Sequence, residues 1–324
     1  ESIYVLALTK SHRSFIDHNL IRNGVNCSKI TGIVEKDQLD TKLEIVLDQK
    51  KKQFWIDGDP IKKVSDYISN MNIIIFYPED LELIKGAPAL RRRYINVELS
   101  QLYGSYLNVV NDYTKLLKMR NDYLKKMQKG ISVDIQYFHI ITGYLIDKAV
   151  ILYQYRYKFV EKLNYYVSNI YYDITGFEGF HLKYKNNFEF DELGKDYIKE
   201  RLNMKFQSLF EAEQRSGTTL VGPHRDDLEF YLNDRDLRIY GSQGQQRLAV
   251  LAIKLAEISI FKQYSGSMPI LLLDDVFSEL DETRQKLLID NLSVVQMFIT
   301  TAEVSHINIF NKSNITICRI EKGQ

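Results

Sequence analysis

Between Tyr240 and Asp281 the chain spaces residues suited to phosphate chemistry. Ser242-Gln243-Gly244-Gln245 opens a run in which Leu248, Leu251, Leu255 and Ile258 recur at three- and four-residue steps, the pattern of one buried helical face. Ser242 is a good helix N-cap. Gly244, in the first turn, lets an anion approach exposed backbone N–H groups where the helix dipole favours negative charge. A well-capped core helix would account for these residues if they stood alone. The next segment tips the balance. Ile270-Leu271-Leu272-Leu273 reads as a strand buried on both faces, followed by Asp274 and Asp275 at the C-terminal end, where open α/β sheets place their ligands. Adjacent carboxylates in such a place need a cation or hydrogen bonds to offset their repulsion. Mg2+ bound by Asp274, directly or through water, supplies that, and Asp275 is then placed to orient and polarise an attacking water. The structural alternative is a strand end whose two aspartates cap the next loop. Asp281 reads as the cap of a helix continuing through Leu287, Leu288 and Leu292.

These groups need a scaffold. Residues 29–35, 41–47 and 53–56 read as strands of an antiparallel patch, with Asp57-Gly58 as a tight turn after the third. Residues 72–76 form a short buried strand, and residues 294–299 another. No proline occurs between Pro88 and Pro223, an interval ample for long helices. Leu99, Leu102, Tyr106, Val109, Tyr113 and Leu116 step as one helix expected to run to Lys129-Gly130. Phe138, Ile141, Leu145, Ala149, Leu152, Phe159, Leu163 and Tyr166 mark a second, so the pair is expected as an antiparallel hairpin with Lys129-Gly130 near its tip. The tyrosines of this region (Tyr153, Tyr155, Tyr157, Tyr165, Tyr166, Tyr171, Tyr172) read as packing rather than base-stacking residues. Arg225, Asp226 and Asp227 read as a local ion-pair turn.

Composition excludes several classes. With 45% hydrophobic and 26% charged residues among 324, the chain is of globular type, and no apolar run suggests a membrane span. Cys27 and Cys318 lack metal-type spacing and read as lone buried thiols of a reduced, cytoplasmic protein. The net charge of +1 means that any nucleic-acid surface must be local. Two cationic clusters qualify for phosphate-backbone contacts, against a solvated charged face as the plain alternative: Lys10, His12 and Arg13, and Arg91, Arg92 and Arg93. Adjacent arginines splay to different faces, so at most two of the three share a role, and one could pair with Glu79 or Asp80.

The two motifs resemble the signature sequence, Walker B strand and D-loop (Ser278 to Asp281) of ABC-type ATPases, in the branch that includes SMC proteins. The resemblance is closer still to the RecF family. It is carried along essentially the whole chain by Ile3-Tyr4-Val5-Leu6-Ala7-Leu8-Thr9-Lys10-Ser11-His12-Arg13, by the segment from Pro78 to Asn96, and by Leu220-Val221-Gly222-Pro223-His224-Arg225-Asp226-Asp227. It implies an α/β fold: an ABC-type, SMC-like P-loop NTPase lobe at 1–90 and 218–324 with an inserted helical arm lobe at 91–217. It implies a homodimer that sandwiches ATP and Mg2+. In it Asp274 and Asp275 of one copy face Ser242, Gln243, Gly244 and Gln245 of the other, with Ser278 and Asp281 in the D-loop. The dimer would close on double-stranded or gapped DNA, act with RecR and RecO to load RecA, and hydrolyse ATP slowly.

Three departures qualify that picture. A Walker A loop, G-x-x-x-x-G-K-[ST], is absent. The resemblance places it immediately upstream of Glu1, so the sequence as it stands is expected to bind ATP poorly in its own cis site. Thr300-Thr301 stands where transporters carry a switch histidine, which opposes a transport subunit and makes Thr300 a candidate nucleotide sensor. The segment from Ile73 to Pro78 lies at the usual Q-loop position without a glutamine. Asp275, where most relatives carry glutamate, also suits an SMC-like clamp that binds nucleotide without useful turnover.

Overall fold

Burial of short apolar runs against one another builds three sheets around two apolar clusters. The computed structural model describes residues 1–13, 16–36, 38–48, 51–188, 193–276, 285, 292, 295–301 and 315–320. An apolar helix, α1 (Ser2–Leu8), buries Tyr4 through Leu8 and stops at Thr9, whose φ of 61° turns the chain. An antiparallel meander follows: β1 (Cys27–Lys36), β2 (Leu39–Asp48), β3 (Lys52–Ile56) and β4 (Asp59–Ile61). The first three contain the expected strands. Asp57 and Gly58, at φ 53° and 90°, make the tight turn, and its return arm is the short β4, which periodicity is too brief to reveal. Leu43, Ile45, Leu47 and Phe54 pack with α1, with Tyr67 and Ile68 of the short helix α2 (Val64–Ile68), and with Leu272.

The second sheet is parallel and carries the chemistry-bearing ends. Strand β5 (Ile73–Phe76) leads through a 3-10 turn to the one-turn helix α3 (Glu82–Lys85) and then to α4 (Pro88–Leu102), with Pro88 suited to a first helical turn. The expected single long helix is divided: α4 ends at Tyr103, and α5 (Gly104–Gln128) begins after it. A Cβ on Gly104 would lie 3.0 Å from the carbonyl oxygen of Ser65, so the glycine allows close packing on α2, and extended geometry at Tyr103 turns the helix path there. The 41-residue α6 (Ile135–Thr175), capped by the Asp134 carboxylate, returns antiparallel to α5 as expected, with Gly130 in the connecting turn. Strand β6 (Phe180–Lys185), α7 (Lys195–Ser216), β7 (Asp227–Leu232) and β8 (Arg235–Asp236) follow, with β6, β7 and β8 forming a small antiparallel sheet.

Helix α8 (Leu237–Tyr240) precedes α9 (Gln243–Ser265), which was expected to bury one face. It is buried on all sides from Leu248 to Ile258, because α6 covers one flank and the parallel sheet another. Strand β9 (Ile270–Asp274) sits between β5 and β10 (Met297–Thr300). One apolar cluster runs from Phe76, Leu271 and Leu273 through α9 into the α5–α6 hairpin, reaching Leu117 on α5 and Leu145 on α6.

Three expectations are corrected. Both cysteines are exposed, not buried. Arg225, Asp226 and Asp227 make no local ion-pair turn: Arg225 donates to the Thr219 carbonyl, Asp226 accepts from Tyr184, and Asp227 pairs with Arg91. Of the seven arm tyrosines, Tyr153 and Tyr171 are fully buried and Tyr155, Tyr157 and Tyr166 partly so, but Tyr165 and Tyr172 are exposed. No helix among the described residues is long and apolar enough to cross a membrane.

Candidate nucleotide site

Register places the candidate acid where the strands end together. Leu273 of β9 lies opposite Phe76 of β5, and Asp274 opposite Thr300 of β10, so Tyr77, Asp274 and Thr300 share one edge of the sheet. Thr300 donates its hydroxyl to Asp274 Oδ1 at 2.5 Å, and Arg13 donates to Oδ2 at 2.6 Å. Burial alone would push the Asp274 carboxyl up. The bonds from Thr300 and Arg13 and the Arg13 charge outweigh it and hold the group below the ordinary carboxylate range. Asp274 is therefore ionised at neutral pH. One ionised carboxylate beside a hydroxyl fits the oxygen-donor habit of Mg2+, which keeps waters and takes its remaining ligands from substrate phosphates. Asp275 follows in left-handed geometry, φ 53°, with its N–H donating to the Thr300 carbonyl at 3.1 Å and its side chain exposed.

The signature segment folds as its sequence dictates. Ser242 Oγ accepts the N–H of Gln245 at 3.2 Å, and Gln245 Oε1 accepts the N–H of Ser242 at 2.9 Å, a reciprocal capping box. Ser242, Gln243 and Gly244 are exposed, and a Cβ built on Gly244 would meet no atom nearer than Ser242 Oγ at 4.0 Å. Nothing in its own chain requires glycine there. The space over the helix start is open, which suits an anion arriving from outside. Behind it, Arg247, Val250 and Leu251 of α9 line one cavity with Tyr77, Asp80 and Val276, so the first turns of α9 sit close behind the Asp274 edge.

The six cationic candidates separate. Lys10 is exposed. Arg13 is 61% exposed but directed at Asp274, positioned by its own N–H donating to Ser11 Oγ at 3.0 Å. His12 is no surface cation: its ring lies against Tyr4 and Tyr77 at 5.0 and 5.7 Å, its nitrogens are buried, and burial lowers its pKa. Nor is Arg91, which is 1% exposed, forks onto Asp227 at 2.6 and 2.9 Å, and donates to the Gly86 carbonyl at 2.6 Å. Arg91 thus ties the first turn of α4 to the start of β7. Arg92 donates to the Asp226 carbonyl at 2.8 Å, and Arg93 lines a cavity beside Tyr4, Tyr77 and Glu98. Ser278 and Asp281 lie outside the described residues.

Sequence reading missed the polar network behind the site. Lys254 and Glu257, on the buried centre of α9, meet Asp80 and Tyr94: Lys254 Nζ lies 3.8 Å from both Asp80 and Glu257, and the Tyr94 hydroxyl donates to Glu257 at 2.5 Å. Burial pushes Asp80 up to about 6, against the opposing pull of Lys254. Two charged residues three apart inside an otherwise apolar helical run were the available signal.

Comparison with known proteins places this geometry. No family model matches the sequence. The chain is 40% identical over 313 residues to the DNA replication and repair protein RecF of Latilactobacillus sakei, covering 95% of this chain and 83% of that one. It is 39% identical over 325 residues to RecF of Listeria welshimeri, covering 100% and 88%. A solved structure described as the recombination mediator protein RecF-ATPrS in the RecFOR pathway superposes with a TM-score of 0.89 at 29% identity, over 94% of this chain and 83% of that one. The corresponding RecF-ATP structure gives 0.88 at 29% identity, over 98% and 83%. The capped signature turn, the acid-bearing strand end and the helical hairpin thus sit in a shared fold along nearly the whole sequence, and this chain belongs to the RecF family.

Proposed function

We propose that this protein is an ATP-driven, DNA-binding recombination mediator that acts with RecO and RecR. The observation that carries the dimer logic is the open space over Gly244 at an exposed, self-capped helix start. That turn is finished as structure yet leaves its outer face open, as expected of a half-site completed by a second copy. In the closed dimer, Ser242 to Gln245 of one copy meet the terminal phosphate of ATP held by the other, whose Asp274 holds Mg2+ and whose Asp275 orients water. Mg2+ supplies charge neutralisation at the phosphates. Thr300 and Arg13 both bind Asp274, which makes them the groups that register an occupied site. Duplex and gapped DNA are the substrates of closure, and RecR is the contact that follows. We assign residues 1–90 and 218–324 to the ATPase lobe and 91–217 to the arm. The Arg91–Asp227 pair ties the two crossing points together.

The test compares variants of the whole protein. Ser242→Arg should abolish ATP-dependent dimerisation in sedimentation while leaving ATP binding intact, and Asp275→Asn should trap a DNA-bound dimer. Unchanged dimerisation in both variants would sink the assignment. A clamp that binds nucleotide without useful turnover is favoured by one observation, that both Asp274 oxygens already have partners. Dimerisation with no phosphate release would select it.

A further inference from the structure

The outer face of α5 carries a charge pattern that folding does not need. Tyr106, Tyr113, Arg120 and Leu124 are buried against the neighbouring helices. On the opposite side Lys115, Lys118, Lys125, Lys126 and Lys129 are all exposed, with Asp122 as the acid among them. At 100° per residue these lysines fall within roughly 100° of arc, and at 1.5 Å per residue they extend about 21 Å. Among the described residues none of the five forms an ion pair, whereas nearby Lys148 and Lys199 pair with Asp112 and Asp147 at 2.8 and 2.6 Å. The spacing includes the like-charge neighbours Lys115 and Lys118, which oppose helix formation, while Asp122 stands three or four positions from Lys118, Lys125 and Lys126. The helix dipole rewards cations only in the last turn, so it accounts for Lys125, Lys126 and Lys129 and not for Lys115 or Lys118. In a chain of net charge +1 this is a concentrated local field.

Beside Lys126 runs a partly exposed aromatic seam. Lys126 Nζ lies 5.5 Å from the Tyr123 ring, which is 5.9 Å from the Tyr137 ring on α6. Along α6 the seam continues through Ile140 to Tyr144, and these three α6 residues are 42%, 53% and 59% exposed. Core-facing positions of the same helix segment are filled by Phe138, Ile141 and Leu145, so the outer seam is surplus to packing. Phosphates suit the lysines, but duplex DNA hides its base faces and offers the tyrosines nothing to stack on. A single strand presents both phosphate and base face to adjacent rows of cation and ring.

We propose that the α5–α6 hairpin binds single-stranded DNA, with Lys115, Lys118 and Lys129 tracking phosphates and Tyr137 and Tyr144 stacking bases. The site needs no nucleotide and no dimer, so it stands or falls separately from the ATP-driven reading, although its choice of DNA rests on membership of a DNA-repair family.

The experiment measures fluorescein-labelled oligo(dT) binding to the whole chain by anisotropy, without ATP. Lys115→Glu/Lys118→Glu/Lys129→Glu should weaken binding at least tenfold. It should also flatten the log–log salt slope by about 2, since each of the three phosphates no longer neutralised removes about 0.7 from it. Tyr137→Ala/Tyr144→Ala should weaken oligo(dT) binding about tenfold and leave duplex binding unchanged. Photo-crosslinking of bromodeoxyuridine-substituted oligonucleotide to the unmodified protein should label Tyr137 or Tyr144, a readout independent of variant folding. Crosslinks confined to other segments overturn the proposal. So does a lysine variant that weakens single strand and duplex alike while the tyrosine variant changes nothing.

Discussion

At the scale of the residue, Arg13 shows most clearly what a sequence can and cannot say. The motif around Asp274 and the cap at Ser242 were legible because each depends on neighbours in sequence. Arg13 read only as one of several cations beside a nucleotide site, since its partner lies 261 positions away. Arg91 was misread for the same reason, its acid being 136 positions distant. The pairing makes Arg13 a competitor for Asp274 Oδ2. Removing it by Arg13→Ala should tighten divalent-cation binding in the absence of nucleotide, measured as Mn2+ affinity by electron paramagnetic resonance. It should change stability by less than about 1 kcal/mol, because an exposed pair is screened by water. Unaltered Mn2+ affinity would show that Arg13 and the cation do not share the carboxylate.

At the scale of the element, periodicity revealed the meander, the buried strand β9 and the hairpin. It missed the break at Tyr103, because apolar spacing runs through it and only the approach of Gly104 to α2 divides the helix. It also missed that the stripe of α5 includes a buried charge. Arg120 lies between the rings of Phe138 and Phe206, at 5.0 and 4.7 Å, donates to Thr142 and Thr219, and pairs with Glu213 at 2.6 Å. The pair is 1% and 0% exposed and ties α5, α6 and α7 into one unit. Glu213→Ala leaves the guanidinium buried without its counter-charge and should cost about 3–5 kcal/mol in urea unfolding. Replacing both partners, as Arg120→Met/Glu213→Leu, should recover most of that loss, since the desolvation of two charges is removed together. A double variant as unstable as the single would mean that the hydrogen bonds to Thr142 and Thr219, not charge compensation, hold the helices.

At the scale of the whole molecule, the segment from Val221 to Asp227 joins the hairpin to the small sheet, and its titrating groups should set how the joint responds to pH. Arg156 of α6 donates to the Pro223 carbonyl at 2.7 Å, and a Cβ on Gly222, at φ 130°, would lie 2.4 Å from the Tyr113 hydroxyl oxygen. His224 sits between Tyr113 and the Thr219 carbonyl, at 2.6 and 3.2 Å, and burial, with Arg225, Arg92 and Arg120 nearby, lowers its pKa to about 4. Asp226 accepts from Tyr184 at 2.7 Å, and burial pushes it up to about 7 despite Tyr184 and Arg156. The signs oppose. Between pH 4 and 6.5 the unfolded chain protonates His224 and the folded one does not, so that group makes stability fall as pH falls. From about pH 4 to 7 the folded chain keeps the Asp226 proton that the unfolded one has lost, so that group makes stability fall as pH rises. The two cancel in the native protein. Asp226→Asn should therefore gain stability from pH 5 to pH 7 relative to wild type, and His224→Gln should lose it, each by roughly 2 kcal/mol at about 1.4 kcal/mol per pH unit. Urea midpoints of the three proteins at the two pH values decide it, because every other titrating group is common to all three. Parallel shifts in both variants would show that the joint is held by packing alone.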